Sequence, residues 1–118
     1  MKHIFFILIL FCGITTVFAQ NDYYLKQAQS YQREAEYYTK QAQGYEREVD
    51  YYNRKAQGYL REAEYYSKRQ KYDMVRSYQQ YAKNATDSAE SYQRKAKSAR
   101  ENAQSYMKKA EDALRKAK

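Results

Sequence analysis

From Ala28 to Tyr66 the small and apolar residues fall alternately three and four positions apart: Ala28, Tyr31, Ala35, Tyr38, Ala42, Tyr45, Val49, Tyr52, Ala56, Tyr59, Ala63 and Tyr66. This is the spacing of a and d positions in an unbroken heptad series. It predicts a long amphipathic helix carrying a coiled-coil seam. A strict seven-residue repeat drifts against the 3.6-residue turn, so helices that share such a seam supercoil left-handedly. A second series keeps the rule with more alanine: Tyr78, Ala82, Ala85, Ala89, Tyr92, Ala96, Ala99, Ala103, Tyr106, Ala110, Ala113 and Ala117.

The two series are out of phase. Nine residues separate Tyr66 from Val75, where an unbroken heptad count needs eleven. At about 100° per residue the stripe jumps by roughly 200°, which would put the two seams on nearly opposite faces of one continuous helix. The break, residues 67–74, divides arms of almost equal length at 22–66 and 75–118. The simplest all-α solution is an antiparallel helical hairpin in which Ala and Tyr of one arm meet Ala of the other, with Tyr31 near Tyr106. One long continuous helix in an oligomer is the alternative, because the break holds neither Gly nor Pro. Asp73 is the expected cap of the second helix.

A longer period lies over the heptads. The first arm reads DYYLKQAQSYQREA, EYYTKQAQGYEREV and DYYNRKAQGYLREA, then EYYSKRQ, where the repeat fails. The second arm reads SYQQYAKNATDSAE, SYQRKAKSARENAQ and SYMKKAEDALRKAK, which look like diverged copies. In each YY pair the second tyrosine (Tyr24, Tyr38, Tyr52, Tyr66) takes a d position and is expected to be buried. The first (Tyr23, Tyr37, Tyr51, Tyr65) takes c and is expected to face solvent, repeating about every 21 Å. Ser30, Gly44 and Gly58 lie between them at c. Glycine costs up to about 1 kcal/mol inside a helix, so large residues alternating with none point to a second contact surface, for assembly or cross-linking. Acid-then-base pairs four apart (Asp22–Lys26, Glu36–Lys40, Asp50–Arg54, Glu64–Lys68, Glu90–Arg94, Glu111–Arg115) fall at b and f, on the face away from the seam, and favour the helix.

Composition changes the picture at the N-terminus. Met1-Lys2-His3 is followed by an apolar run from Ile4 to Phe18, and Val17-Phe18-Ala19 has the form of a cleavage site. Residues 1–19 are read as a secretory signal peptide cut before Gln20, which makes the protein secreted and extracellular. The run is shorter than the roughly 20 residues that span a bilayer, so no stable membrane insertion is expected after cleavage. Cys12 follows bulky Phe11, unlike a lipoprotein signal. The remaining chain, 20–118, has no Cys, His, Trp, Phe, Pro or Ile. Leu25, Val49, Leu60, Met74, Val75, Met107 and Leu114 are too few to fill a globular core. Tyr and Ala must supply the buried surface, without disulfides, and self-association into a homo-oligomer is expected.

Chemistry is restricted by the same inventory. Without His or Cys there is no general base or nucleophile of the usual kind. Glu34, Glu48 and Glu62 repeat too far apart for a carboxylate pair. No phosphate loop or His/Cys metal cluster occurs. No enzyme activity, catalytic residue, cofactor or metal is therefore expected. The chain carries net charge +8, but acids alternate with bases along it, so nucleic acid is not an expected partner. Acidic extracellular polymers are, through general attraction to a basic surface. The seam is mostly alanine, unlike a membrane-disrupting helix with its face of Leu, Phe or Trp. Asn84-Ala-Thr86 is an N-glycosylation sequon at an exposed c position, in a column with Ser77, Ser91, Ser98 and Ser105. In composition alone the chain resembles tyrosine-rich secreted matrix proteins of shells, byssal threads or silks. That resemblance implies a structural, coiled-coil building block of an extracellular matrix, cross-linked through Tyr23, Tyr37, Tyr51 and Tyr65. The alternative is a basic helical protein that binds acidic polysaccharide or anionic membrane surfaces.

Overall fold

Ala, Gln, Glu, Lys and Arg lose little rotamer freedom in a helix, and they fill most of the positions after Ala19 that tyrosine does not hold. The computed structural model describes residues 19–118, with side chains from Asn21 onward. Residues 1–18, all but the last of the segment 1–19 read as the signal peptide, lie outside the described residues. Two helices, α1 (Ala19–Lys68) and α2 (Tyr72–Lys116), hold all but a few of the rest, and there is no strand among the described residues. The protein is an all-α helical hairpin. The alternative of one continuous helix is not what the chain adopts.

The reversal occupies Arg69, Gln70 and Lys71. Gln70 takes φ 60°, the left-handed region. Its N–H donates to Ser67 O at 3.0 Å, and Lys71 N–H donates to Tyr66 O at 3.1 Å. This paired pattern is a Schellman motif, which satisfies carbonyls that the end of a helix leaves open. Lys71 then opens α2, because its carbonyl accepts from Met74 and Val75, both at 3.1 Å. One residue thus closes the first helix and starts the second, so Asp73 falls inside the first turn of α2 and not at its cap. There its carboxylate accepts from the Arg76 guanidinium. Arg69 secures the other side: it donates to Tyr65 O at 3.2 Å and lies 3.6 Å over the Tyr65 ring.

The chain forms two units. The first comprises α1 up to Thr39 with Glu101–Lys118, and the second is Lys40–Arg100. In the first, Leu25, Ala28, Ala113, Leu114 and Ala117 make a small core, flanked by Tyr24, Tyr31 and Met107. In the second, alanines again form the buried line: Ala42, Ala56 and Ala63 from α1, with Ala82, Ala85, Ala89, Ala96 and Ala99 from α2. Small side chains at regular intervals leave little between the helices except the tyrosine rings. The seam tyrosines differ from expectation here. Tyr24, Tyr38, Tyr52 and Tyr66 are half-buried, because a ring outreaches an alanine layer and so extends beyond it.

Charges behave partly as the pattern suggested. Glu64–Lys68 forms an i,i+4 pair at 3.5 Å. Arg115 pairs at 2.7 Å with Asp112, not with Glu111. A contact between helices that the repeat did not announce lies in the second unit. Arg100 Nε and Nη2 donate to the two carboxylate oxygens of Glu46 at 3.0 and 3.1 Å. The forked geometry fixes register more than it adds stability, since both partners remain substantially wet. The same place in neighbouring repeats holds Gln32 and Leu60. Gln32 Nε2 is buried without a hydrogen-bond partner, a burden of about 1–3 kcal/mol.

A non-glycine residue in the left-handed region costs roughly 1–2 kcal/mol, part of which glycine returns as chain entropy. Gln70→Gly is therefore expected to stabilise the hairpin by about 0.5–1 kcal/mol, raising Tm by a few degrees. Thermal melts followed by circular dichroism check this. A lowered Tm would show that the Gln70 side chain contributes more than its backbone costs.

Candidate assembly surface

The fold gives each YY pair a geometry. The ring at c stands edge-on to the ring at d in all four pairs: Tyr23–Tyr24 at 5.3 Å, Tyr37–Tyr38 at 5.2 Å, Tyr51–Tyr52 at 5.1 Å and Tyr65–Tyr66 at 5.0 Å, with interplanar angles of 77–89°. Edge-to-face contact suits the ring quadrupole and holds the outer tyrosine in a defined pose. The outer rings remain exposed, with Tyr23 at 63%, Tyr37 at 57%, Tyr51 at 51% and Tyr65 at 47% of full accessibility.

The inner ring of each later pair meets a tyrosine of α2. Tyr106 lies between Tyr31 and Tyr38 in the first unit. In the second unit Tyr92 lies between Tyr45 and Tyr52, and Tyr78 between Tyr59 and Tyr66. Each step of 14 residues forward in α1 is matched by one of 14 back in α2. In every triad one neighbour is tilted, at 6.1–6.2 Å, and the other is stacked nearly parallel, at 5.6–5.7 Å. The expected proximity of Tyr31 and Tyr106 is realised at 6.2 Å between ring centroids.

Sequence reasoning missed the cations that accompany the rings. Lys109 lies 4.9 Å from the Tyr106 centroid, Lys95 5.0 Å from Tyr92, Lys55 5.3 Å from Tyr51 and Lys116 6.0 Å from Tyr24. Lys95 and Lys109 each follow their ring by three residues, a spacing that places both on one helix face and was legible in the repeat. In the first α2 block that place belongs to Tyr81, which packs on Tyr59 and Tyr78 at 5.5 and 5.7 Å. Tyr52, Lys55, Tyr59, Tyr81, Asn84, Ala85 and Ser88 line an open groove of about 240 Å³ in the second unit. Asn84, the sequon residue, is exposed, and its Oδ1 accepts from Gln80 Nε2 at 3.0 Å. Thr86 donates its hydroxyl to Ala82 O at 3.0 Å.

Two groups in this region titrate away from their ordinary values. Lys55 is raised, chiefly by its hydrogen bond with the Tyr51 hydroxyl, so it keeps its charge. Partial burial pushes the Tyr78 phenol up, with Tyr66, Glu62, Tyr81 and Tyr59 adding to the effect.

The glycines between the exposed tyrosines have room for a side chain. A methyl group on Gly44 would meet only the tip of Arg47 at 3.9 Å, and one on Gly58 would meet nothing within 4 Å. Among the described residues no group of three His, Cys, Asp or Glu side chains could hold a metal ion, and no helix is long and apolar enough to cross a membrane. No family model, curated protein or solved structure matches the chain.

Folding favours the protonated Tyr78 phenol, so its contribution is intact below the ordinary tyrosine value of 10.0 and is lost as pH rises through the raised one. Tm should fall as pH rises above about 10, and fall less steeply in Tyr78→Phe. Identical slopes in parent and variant would remove Tyr78 from the account.

Proposed function

We propose that the chain is a secreted, non-enzymatic structural protein, a self-associating helical unit of an extracellular matrix or surface assembly that uses Tyr23, Tyr37, Tyr51 and Tyr65 as lateral contacts. One observation carries this reading. The c positions of α1 present exposed, edge-braced tyrosines at 14-residue intervals, and between them lie glycines whose missing side chains the hairpin does not use. Each glycine costs up to about 1 kcal/mol of helix stability. A cost borne at successive repeats without internal return suits a surface where a neighbour's rings enter. A second copy carries the same period and can match it in register.

A second reading draws on the cations. Lys55, Lys95, Lys109, Lys116 and Arg69 each lie over a tyrosine ring, and stacking rings beside fixed positive charges suit an acidic polysaccharide. Binding of that kind weakens steeply with salt, whereas contacts between rings do not.

Replacing the four outer tyrosines with Gln should preserve helix content, since Gln is a good helix former, and abolish larger species in sedimentation and interchain dityrosine after peroxidase treatment. Gly44→Ala with Gly58→Ala should stabilise the isolated hairpin by up to about 2 kcal/mol in sum while weakening assembly. If both variants assemble like the parent, the outer tyrosines are not the contact. Salt-sensitive retention on an acidic polysaccharide column would then favour the second reading.

A further inference from the structure

The aromatic contacts fall into orientation classes, and only one class suits a covalent bond between the helices. Tyr38–Tyr106, Tyr52–Tyr92 and Tyr66–Tyr78 are stacked at 9°, 12° and 9° between ring planes, with centroids 5.7, 5.7 and 5.6 Å apart. The YY neighbours stand at 77–89°, and the remaining pairs between helices are tilted by 35–53°. All six stacked tyrosines are half-buried, so each keeps part of its surface open to solvent.

We propose that these three stacks are sites of intramolecular dityrosine formation, which staples α1 to α2 within one chain. The oxidant is hydrogen peroxide acting through a haem peroxidase. Each of two phenols gives up one electron and its hydroxyl proton to become a neutral tyrosyl radical, and the peroxide takes up both electrons and both protons to become two waters. The unpaired electron of a phenoxyl radical occupies the π system, with density on the ortho carbons Cε1 and Cε2. The new carbon–carbon bond therefore forms between lobes that point out of each ring plane. Stacked rings direct these lobes at each other, whereas edge-on rings direct the lobe of one at the in-plane C–H of the other. After coupling, the hydrogen on each joined carbon moves to the adjacent ketone oxygen and both phenols are restored. The whole step converts two tyrosines and one peroxide into one dityrosine and two waters.

Proximity decides which product wins. Two radicals held in contact behave as an intramolecular pair, whose effective molarity far exceeds any protein concentration in solution. The staple is independent of the lateral contacts proposed above, because it uses the inner tyrosines and one molecule, where assembly uses the outer tyrosines and two.

The test treats the protein at low micromolar concentration with peroxidase and hydrogen peroxide, then isolates the monomer-sized fraction. It should show dityrosine fluorescence and a raised Tm, and peptide mapping by mass spectrometry should find Tyr38–Tyr106, Tyr52–Tyr92 and Tyr66–Tyr78. The triple variant Tyr78→Phe, Tyr92→Phe, Tyr106→Phe keeps the rings but not the hydroxyls. With helix content equal to the parent by circular dichroism, its intrachain dityrosine should drop at least about fivefold. Replacing Tyr23, Tyr37, Tyr51 and Tyr65 with Gln should leave the intrachain product in place and remove only interchain product. The proposal is overturned if monomer-sized dityrosine maps to adjacent YY pairs, if it persists in the triple Phe variant, or if it vanishes with the outer four.

Discussion

Everything in this hairpin depends on packing a very large flat residue against a very small one. Alanine alone lets two helices approach but buries little apolar surface per residue, and each buried CH₂ is worth only about 0.8 kcal/mol. Tyrosine supplies area, and its ring pairs add about 0.5–1.5 kcal/mol each beyond that area. Rings of this size fit between alanine-lined helices only at the edge of the seam. The chain accordingly keeps its alanines buried and its seam tyrosines half-buried. The result is a helix pair with a thin core and an aromatic margin.

The margin by itself does not set the register, because α1 carries a seam tyrosine at every heptad from Tyr24 to Tyr66. A one-heptad slip would leave alanine seams largely indifferent, since nearly every layer is alike. The tyrosines of α2 recur every 14 residues, and each sits between two tyrosines of α1. A slip of seven would place the Glu46 carboxylate away from Arg100, its partner in a forked pair. Neighbouring repeats carry Gln32 and Leu60 at that place, so the charge pair is a single mark on an otherwise repetitive interface. Such a mark serves specificity more than stability, as polar pairs in coiled coils often do.

The turn links to the surface through the same economy. Gln70 adopts the conformation that glycine would favour, while Gly44 and Gly58 sit in mid-helix where alanine would be better. Glycine is thus absent where backbone geometry rewards it and present where only an external surface could. This inversion is the observation on which the proposed outside contact at the c positions of α1 rests. From Tyr37 to Tyr65 the edge-braced tyrosines alternate with those glycines, and cations lie over several of the rings.

The heptad spacing, the 14-residue repeat and the nine-residue gap between Tyr66 and Val75 made the two helices, the break and the antiparallel pairing legible in the chain. These are local periodicities, and a helix maps them directly onto faces. Exposure of Tyr23, Tyr37, Tyr51 and Tyr65 followed from the same mapping. The reversal without glycine did not, because a left-handed Gln70 is tolerated only once the packed arms require the chain to turn there. The half-burial of the seam tyrosines, their split into stacked and tilted neighbours, the Glu46–Arg100 fork and the placement of Tyr81 beside Tyr59 also waited on the tertiary structure. Each depends on which residue of α2 lies opposite which residue of α1. That is a relation between positions far apart in the chain, and no period within either helix contains it.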